Sequence, residues 1–233
     1  MAGADRVTVA APRILHDDGR VLALAKPAGL ATVPYRVGDR ANCLRAWVET
    51  TLGERVFVVH RLDKDTSGVI VMARDADTHR VLSGLFEHRY AEKTYLAAVV
   101  GHVADDAGVI AAPLREFGSG RVAVDPRGRP SETSFRVRER LRDADLLEVS
   151  PKSGRRHQIR VHLYHRGHPV LGDVTYGQDR PVGGASRLLL HAWRLRLPLA
   201  TAGPEFSDLG FRDLEFEVPL EGDFEAALAP WRV

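Results

Sequence analysis

The residues best suited to chemistry lie in one stretch, His60-Arg61-Leu62-Asp63-Lys64-Asp65-Thr66-Ser67-Gly68, a polar island between two apolar runs. A carboxylate held in a fixed place can act as a general acid or base, or as a nucleophile. Asp63 is the candidate for that work. Asp65 is its competitor, and a sugar-cleaving pair built from Asp63 and Asp65 is the obvious alternative. Two carboxylates so close within one loop provide no opposed pair across a sugar ring, which disfavours that chemistry. Asp65, Thr66 and Ser67 read instead as loop-bracing groups that bond nearby backbone N–H groups. His60 and Arg61 read as residues that position the loop or a phosphate.

The island needs rigid supports, and its flanks supply them. Val56 to Val59 and Val69 to Ala73 are short, β-branched and continuous, the pattern of buried strands. A loop held at both ends by core strands presents its side chains reproducibly. Upstream, Ile14 to Ala25 predicts a hairpin turning at Asp17-Asp18-Gly19, stopped by Lys26-Pro27-Ala28-Gly29. Asn42 can cap a helix carrying Leu44, Trp47, Val48 and Leu52 and ending at Gly53. Downstream, Asp75 or Asp77 opens a helix that ends near His88, and Lys93 to Val100 forms a strand. Residues 112 to 130, rich in glycine, proline and arginine, predict hairpin tips between short strands. Strands follow at Thr133 to Arg138 and Leu146 to Val149, then a helix from Gly154 to Tyr164 or His165 with Gly167 as its stop. Leu188 to Leu197 is a further strand, and Phe216 to Leu228 holds a last strand and helix. The class is α+β: a mixed, mainly antiparallel sheet flanked by helices, in two subdomains around a central cleft. Residues 1–11 lack periodicity and are expected to be a disordered tail, with one catalytic domain over residues 12–233.

Size and composition narrow the function. The chain has 233 residues, 44% of them hydrophobic, enough for a substantial core. No apolar run approaches the ~20 residues of a membrane span, and no apolar signal core follows Met1, so a cytoplasmic location is expected. The lone Cys43 cannot form an internal disulfide and reads as a small apolar helix residue. Net charge is only +2, but Pro151 to Gly172 contains no acid, while Lys152, Arg155, Arg156, Arg160 and Arg166 are cationic. Such a patch suits phosphates, although a solvated basic face accounts for many such runs. Only four of the 33 cationic residues are lysines, Lys26, Lys64, Lys93 and Lys152, which hints at a local need for each. His157, His162, His165 and His168 match no zinc spacing, and neighbouring cations would repel a metal, so no metal site is expected. A kinase is rejected because Gly118-Ser119-Gly120 follows the His60-Arg61-Leu62-Asp63 run and leads into no helix, and no phosphate-binding G-x-x-x-x-G-K-[ST] loop exists.

Taken together, the island, Lys93-Thr94-Tyr95, Ser153 to Leu163, and His168-Pro-Val-Leu-Gly-Asp-Val-Thr-Tyr-Gly177 resemble the motifs of the RluA family of RNA pseudouridine synthases, in that family's order. Lys26 to Gly29, Gly128 to Val137 and Arg187 to Ala192 match its flanking motifs, so the resemblance spans about residues 13 to 220. It implies Asp63 as the catalytic aspartate, Tyr95 as the aromatic that stacks on the target base, and Arg160 as the basic partner of Asp63. The implied reaction converts uridine in RNA to pseudouridine. It needs no redox or group donor, so no cofactor is expected. Asp63 would act as nucleophile at C1′ or as base toward the C2′ proton, and the residues do not choose between the two. The uridine must be flipped out of folded RNA to reach such a site. Arg61, Lys152, Arg155, Arg156, His157 and Arg121 are the expected RNA-binding residues, with the arginine-rich tip from Arg115 to Arg129 closing over the RNA. Arg156 departs from the family pattern, which has threonine there. The chain begins almost directly at the first hairpin, so a stand-alone catalytic domain without the N-terminal S4-type module is expected, reading a tRNA or rRNA stem-loop as a monomer. An RNA-binding or RNA-chaperone protein on the same fold, with catalysis secondary, is the alternative.

Overall fold

In the computed structural model, residues 10–34, 42–176, 182–203, 212–220 and 222–232 are described. The expected tail falls largely on residues 1–9, and Gly177 of the last motif also lies outside the described residues. The first hairpin forms as expected, with β1 (Arg13–Asp17) antiparallel to β2 (Val21–Lys26). Its turn is tied by Asp17 and Asp18, whose carboxylates accept from the amides of Gly19, Arg20 and Val21.

Helix α1 (Leu44–Leu52) starts one residue later than the sequence suggests. Its cap is Cys43, not Asn42. Residue 43 is extended (φ −145°, ψ 162°), and its Sγ accepts from the amide of Ala46 at 3.5 Å. Gly53, at φ 70°, closes the helix in the left-handed conformation that glycine tolerates best.

The two runs around the island are unequal. The first yields only β3 (Phe57–Val58), a two-residue strand with Phe57 exposed, whereas β4 (Ser67–Ala73) is buried at every position. The expectation of two core strands is therefore corrected on one side. β3 lies beside only the end of β4, at Ala73 and Met72, so it stays at the margin of the core.

Helix α2 (Ala76–Glu87) is capped by Asp75, which accepts from Thr78 N and Thr78 Oγ1, and buries Val81, Leu82 and Leu85. Strand β5 (Glu92–Val100) follows, then β6 (Ala107–Ala111) and the small separate hairpin β7 (Leu114–Glu116) and β8 (Val122–Val124). β9 (Glu132–Leu141) and β10 (Ala144–Pro151) extend beyond their predicted ends. Helix α3 (Gln158–His165) begins four residues later than predicted, because His157 sits at φ 53°, ψ 20° and turns the chain into the helix. β11 (Leu190–Leu197), β12 (Leu214–Glu217) and α4 (Asp223–Leu228) complete the described elements.

The main sheet runs β1-β2-β4-β11-β5-β10-β9-β6, with β3 and β12 joining at β4 and β11. All its pairings are antiparallel except β4 with β11, so the predicted mixed, mainly antiparallel class holds. This parallel contact joins the two halves of the molecule. It needs a glycine: a Cβ on Gly68 would lie 2.1 Å from the carbonyl oxygen of Ala192. One apolar cluster packs β2 and β4 against α1 and α2, and another packs β5 and β10 against α3. Tyr95 touches both. No helix among the described residues is long and apolar enough to cross a membrane.

Candidate active site

The island emerges where the two halves meet, and an open cleft of about 1730 Å³ lies over it. Its walls include Arg61, Asp63, Tyr95, Arg155, His157 and Arg160. The island is held from below by Lys26 and Thr32 outside it and by its own His60. Lys26, 1% exposed, donates from Nζ to the carbonyls of Pro27 (2.9 Å), Leu30 (2.7 Å) and Lys64 (2.9 Å). Thr32 Oγ1 donates to the carbonyl of Leu62 and accepts from its amide. His60 Nε2 accepts from Val71 N at 3.1 Å, and its ring stacks on Phe86 at 4.3 Å between centroids. Burial, with Lys93 adding to it, lowers the His60 pKa to about 3, so the ring is neutral and available as an acceptor.

The bracing predicted for Asp65, Thr66 and Ser67 is corrected accordingly. Asp65 is exposed and its carboxylate makes no hydrogen bond among the described residues. Thr66 is buried, and its backbone amide, not its side chain, closes a turn onto the carbonyl of Asp63. Ser67 alone braces through its hydroxyl, and it does so over long range, to His191 Nδ1 and Arg187 Nη2, both at 2.8 Å.

Asp63 meets Arg160 across 97 residues of chain: Arg160 Nη1 donates to Asp63 Oδ2 at 3.1 Å. The guanidinium is 7% exposed and the carboxylate 27%. Arg160 has a second and closer partner that sequence reasoning did not single out. Asp173, 1% exposed, takes Nε at 2.7 Å and Nη2 at 2.8 Å in a bidentate pair, and Thr175 Oγ1 accepts from Nη2 at 2.8 Å. The amides of Thr175 and Tyr176 also donate to Asp173 Oδ1. Asp173 lies inside the motif of residues 168–177, but only its burial against Arg160 reveals what it does. Burial lowers and the Asp173 and Asp63 carboxylates raise the pKa of Arg160, and the carboxylates win, so this guanidinium stays charged.

Tyr95 lines the cleft from β5. Burial and then the charge of Asp63 push its phenol well above the ordinary tyrosine range, so it is protonated at neutral pH. His157, predicted as an RNA contact, lines the cleft beside Asp63: Nε2 lies 3.8 Å from Oδ2, and Nδ1 lies 2.8 Å from the hydroxyl of Tyr176.

The remaining predicted RNA residues rim the cleft or its hairpin. Arg61 is exposed on the cleft wall. Arg155 is half-buried, and its Nε is buried with no partner among the described residues. Lys152 pairs with Glu132, and Arg156 with Glu116 of β7, so both already face an acid. Arg121 is exposed, its guanidinium 6.0 Å from the ring centre of Tyr176. Gln158 locks the loop between β10 and α3: its Oε1 accepts from Ser153 Oγ and Arg155 N, and its Nε2 donates to Glu132 O and Thr133 Oγ1. Two further histidines of the basic segment are taken up by structure, His162 by Thr133 and Ala112, and His168 by the carbonyl of Val100.

A carboxylate, an aromatic ring and a doubly anchored guanidinium on one cleft, with basic residues at the rim, can bind a nucleotide and act on its sugar. Comparison with known proteins points the same way. Residues 20–165 match the family model described as RNA pseudouridylate synthase. The chain is 35% identical over 226 residues to ribosomal large subunit pseudouridine synthase C of Vibrio cholerae, covering 94% of this chain and 69% of that protein. It is 37% identical over 187 residues to the dual-specificity RNA pseudouridine synthase RluA of Yersinia pestis, covering 78% of this chain and 90% of that protein. Among solved structures, human RNA pseudouridylate synthase domain containing 1 superposes with a TM-score of 0.76 at 26% identity, over 95% of this chain and 88% of that one. By its match to the family model and its similarity to these relatives over most of their length, this chain belongs to the RNA pseudouridylate synthase family.

Proposed function

We propose that this protein converts uridine to pseudouridine in structured RNA, a tRNA or rRNA stem-loop, on a nucleotide flipped into the cleft. The observation that carries this is the meeting of Asp63 and Arg160 beside Tyr95 in one open cleft. The reaction breaks N1–C1′, turns the uracil in place and forms C5–C1′. C5 then gives up its hydrogen to solvent and N1 gains a proton. Asp63 acts on the sugar, as nucleophile at C1′ or as base at C2′, and either use needs it ionised. Arg160 holds that charge in a part-buried setting, and Asp173 keeps the guanidinium from swinging away. Tyr95 offers a ring to stack on the uracil and, being protonated, a hydroxyl that can pass a proton.

Arg61, Arg121, Lys152, Arg155 and Arg156 hold the RNA backbone around the extruded nucleotide. Arg155 lines the cleft, where its guanidinium can meet a phosphate, whereas Arg156 and Lys152 must exchange Glu116 and Glu132 for phosphate. The test is release of tritium from [5-³H]uridine-labelled rRNA and tRNA, with pseudouridine mapped across total RNA with and without the protein. Wild type should release tritium and Asp63→Asn should not while still binding RNA. Equal release from both proteins would end this reading.

A further inference from the structure

Both groups that face the Asp63 carboxylate approach the same oxygen. Arg160 Nη1 lies 3.1 Å from Oδ2, and His157 Nε2 lies 3.8 Å from that same Oδ2. His157 is not free to turn. Its Nδ1 is 2.8 Å from the hydroxyl of Tyr176, and the two rings meet edge to face at 84°. Tyr176 is itself 3% exposed, packed with Leu114, Val122 and Val161, and fixed by its amide to Asp173. Burial holds the Tyr176 phenol protonated, so its O–H can be donated to Nδ1 of His157 across the 2.8 Å contact. A neutral imidazole that accepts at Nδ1 carries its own proton on Nε2, toward Asp63. The opposite tautomer would aim a lone pair at a carboxylate. Burial favours the neutral ring against the pull of Asp63, with the Arg160 and Arg156 guanidiniums on the side of burial.

We infer that His157 is a positioning residue for Asp63: Tyr176 sets its tautomer, its Nε2–H faces Oδ2 alongside Arg160, and Oδ1 is thereby left as the oxygen that reacts. The 3.8 Å separation closes by a small turn of the carboxylate, as active-site hydrogen bonds often do once substrate is bound. The backbone makes the placement specific. Residue 157 at φ 53° starts α3 without capping it through its side chain, so the imidazole is directed across the cleft. This inference deepens the pseudouridine synthase reading and rests on it for the identity of the reacting oxygen.

Isosteric substitutions separate positioning from structure. His157→Gln places an N–H near the position of Nε2, whereas His157→Asn places its amide near Nδ1, one bond short of Asp63. Asparagine tolerates the left-handed conformation better than glutamine, so a purely structural role ranks His157→Asn as the milder change. Positioning ranks them the other way. In single-turnover tritium release from [5-³H]uridine-labelled rRNA and tRNA, His157→Asn should slow the step about tenfold, with RNA affinity within about twofold of wild type. His157→Gln should restore most of that loss. Rates for His157→Asn equal to or above those of His157→Gln overturn the inference, as does a weakened affinity with an unchanged rate, which would make His157 an RNA contact. A second measurement needs no RNA: the side-chain ¹⁵N spectrum of His157, identified by its loss in His157→Gln. It should show a protonated Nε2 and a bare Nδ1 in wild type, and a tautomer mixture in Tyr176→Phe. A protonated Nδ1 in wild type overturns the inference. If wild type releases no tritium while the ring is in the expected form, the pseudouridine reading fails and the positioning geometry stands.

Discussion

Replacing Arg160 by alanine tests the centre of this site. The variant removes two bonds from Asp173, which is 1% exposed, and one from Asp63, which is 27% exposed. These two halves are of different size. A partly solvated pair contributes at most about 1 kcal/mol, whereas stripping the partner from a buried carboxylate costs about 3–5 kcal/mol. The stability loss therefore comes from Asp173 and the activity loss from Asp63. In a chain of this length about 1 kcal/mol moves Tm by about 2–4 °C, so Arg160→Ala should melt roughly 10 °C below wild type. Acid should sharpen the difference. Burial pushes the Asp173 carboxyl up, but its bonds and charge contact with Arg160, with two amides, bring it below the ordinary 3.8. A carboxyl depressed in the folded state stabilises above its unfolded value, and that stabilisation disappears as pH falls through the lower folded value. Without Arg160, burial acts against the amides alone, and acid unfolding should begin at higher pH. Thermal melts by circular dichroism from about pH 3 to 8 measure both effects. Removing the charge as well, in Arg160→Met with Asp173→Asn, should recover part of the loss, so the double variant costs less than the sum of the singles. A melt of Arg160→Ala within about 1 °C of wild type, or strict additivity in the double variant, would refute the Asp173 clamp.

Three other perturbations have defined outcomes. Lys26→Met removes three bonds, one to the island and two to the loop after β2, and should cost roughly 3 kcal/mol in urea denaturation at neutral pH. Burial, opposed by Asp65 and Asp63, lowers the Lys26 pKa to about 7 from 10.5, so between these values the unfolded chain holds a proton the folded chain lacks; the stability of wild type relative to Lys26→Met should rise over that range, and a flat difference would mean the ammonium keeps its proton. Gly68→Ala forces a Cβ to within 2.1 Å of the Ala192 carbonyl at φ 113°, and should cost about 3 kcal/mol by thermal melt, with wild-type stability showing that the parallel contact is looser than described. RNA affinity should fall steeply with salt, and Arg155→Ala should flatten the log–log slope by about 1, whereas an unchanged slope would remove Arg155 from the phosphate contacts.

Much of the fold was legible because its signals are local. The Asp-Gly turn of the first hairpin, the Asp75 cap of α2, the Gly53 stop of α1 and the apolar spacing along β5 each depend on a few adjacent residues. Errors fell where a local signal met a tertiary constraint. Val56 to Val59 has the composition of a core strand, but only the end of β4 is available for it to pair with. The sequence from Gly154 suits a helix, yet His157 turns the chain first and Gln158 locks the loop before it.

The amino-acid sequence by itself determined the order of elements, the class of sheet and, through the ordered motifs, the identity of Asp63, Tyr95 and Arg160 as a set worth bringing together. It could not determine which atoms meet. Asp173 on Arg160, Lys26 under the island and the Tyr176–His157 pair beside Asp63 join residues that are 13, 38 and 19 positions apart, on different elements and loops. Such contacts arise only when the sheet has closed and buried charges must find partners, because an unpaired charge in the interior is too costly to keep. The tertiary structure therefore decided how Asp63 is held, and which of its two oxygens faces Arg160 and His157.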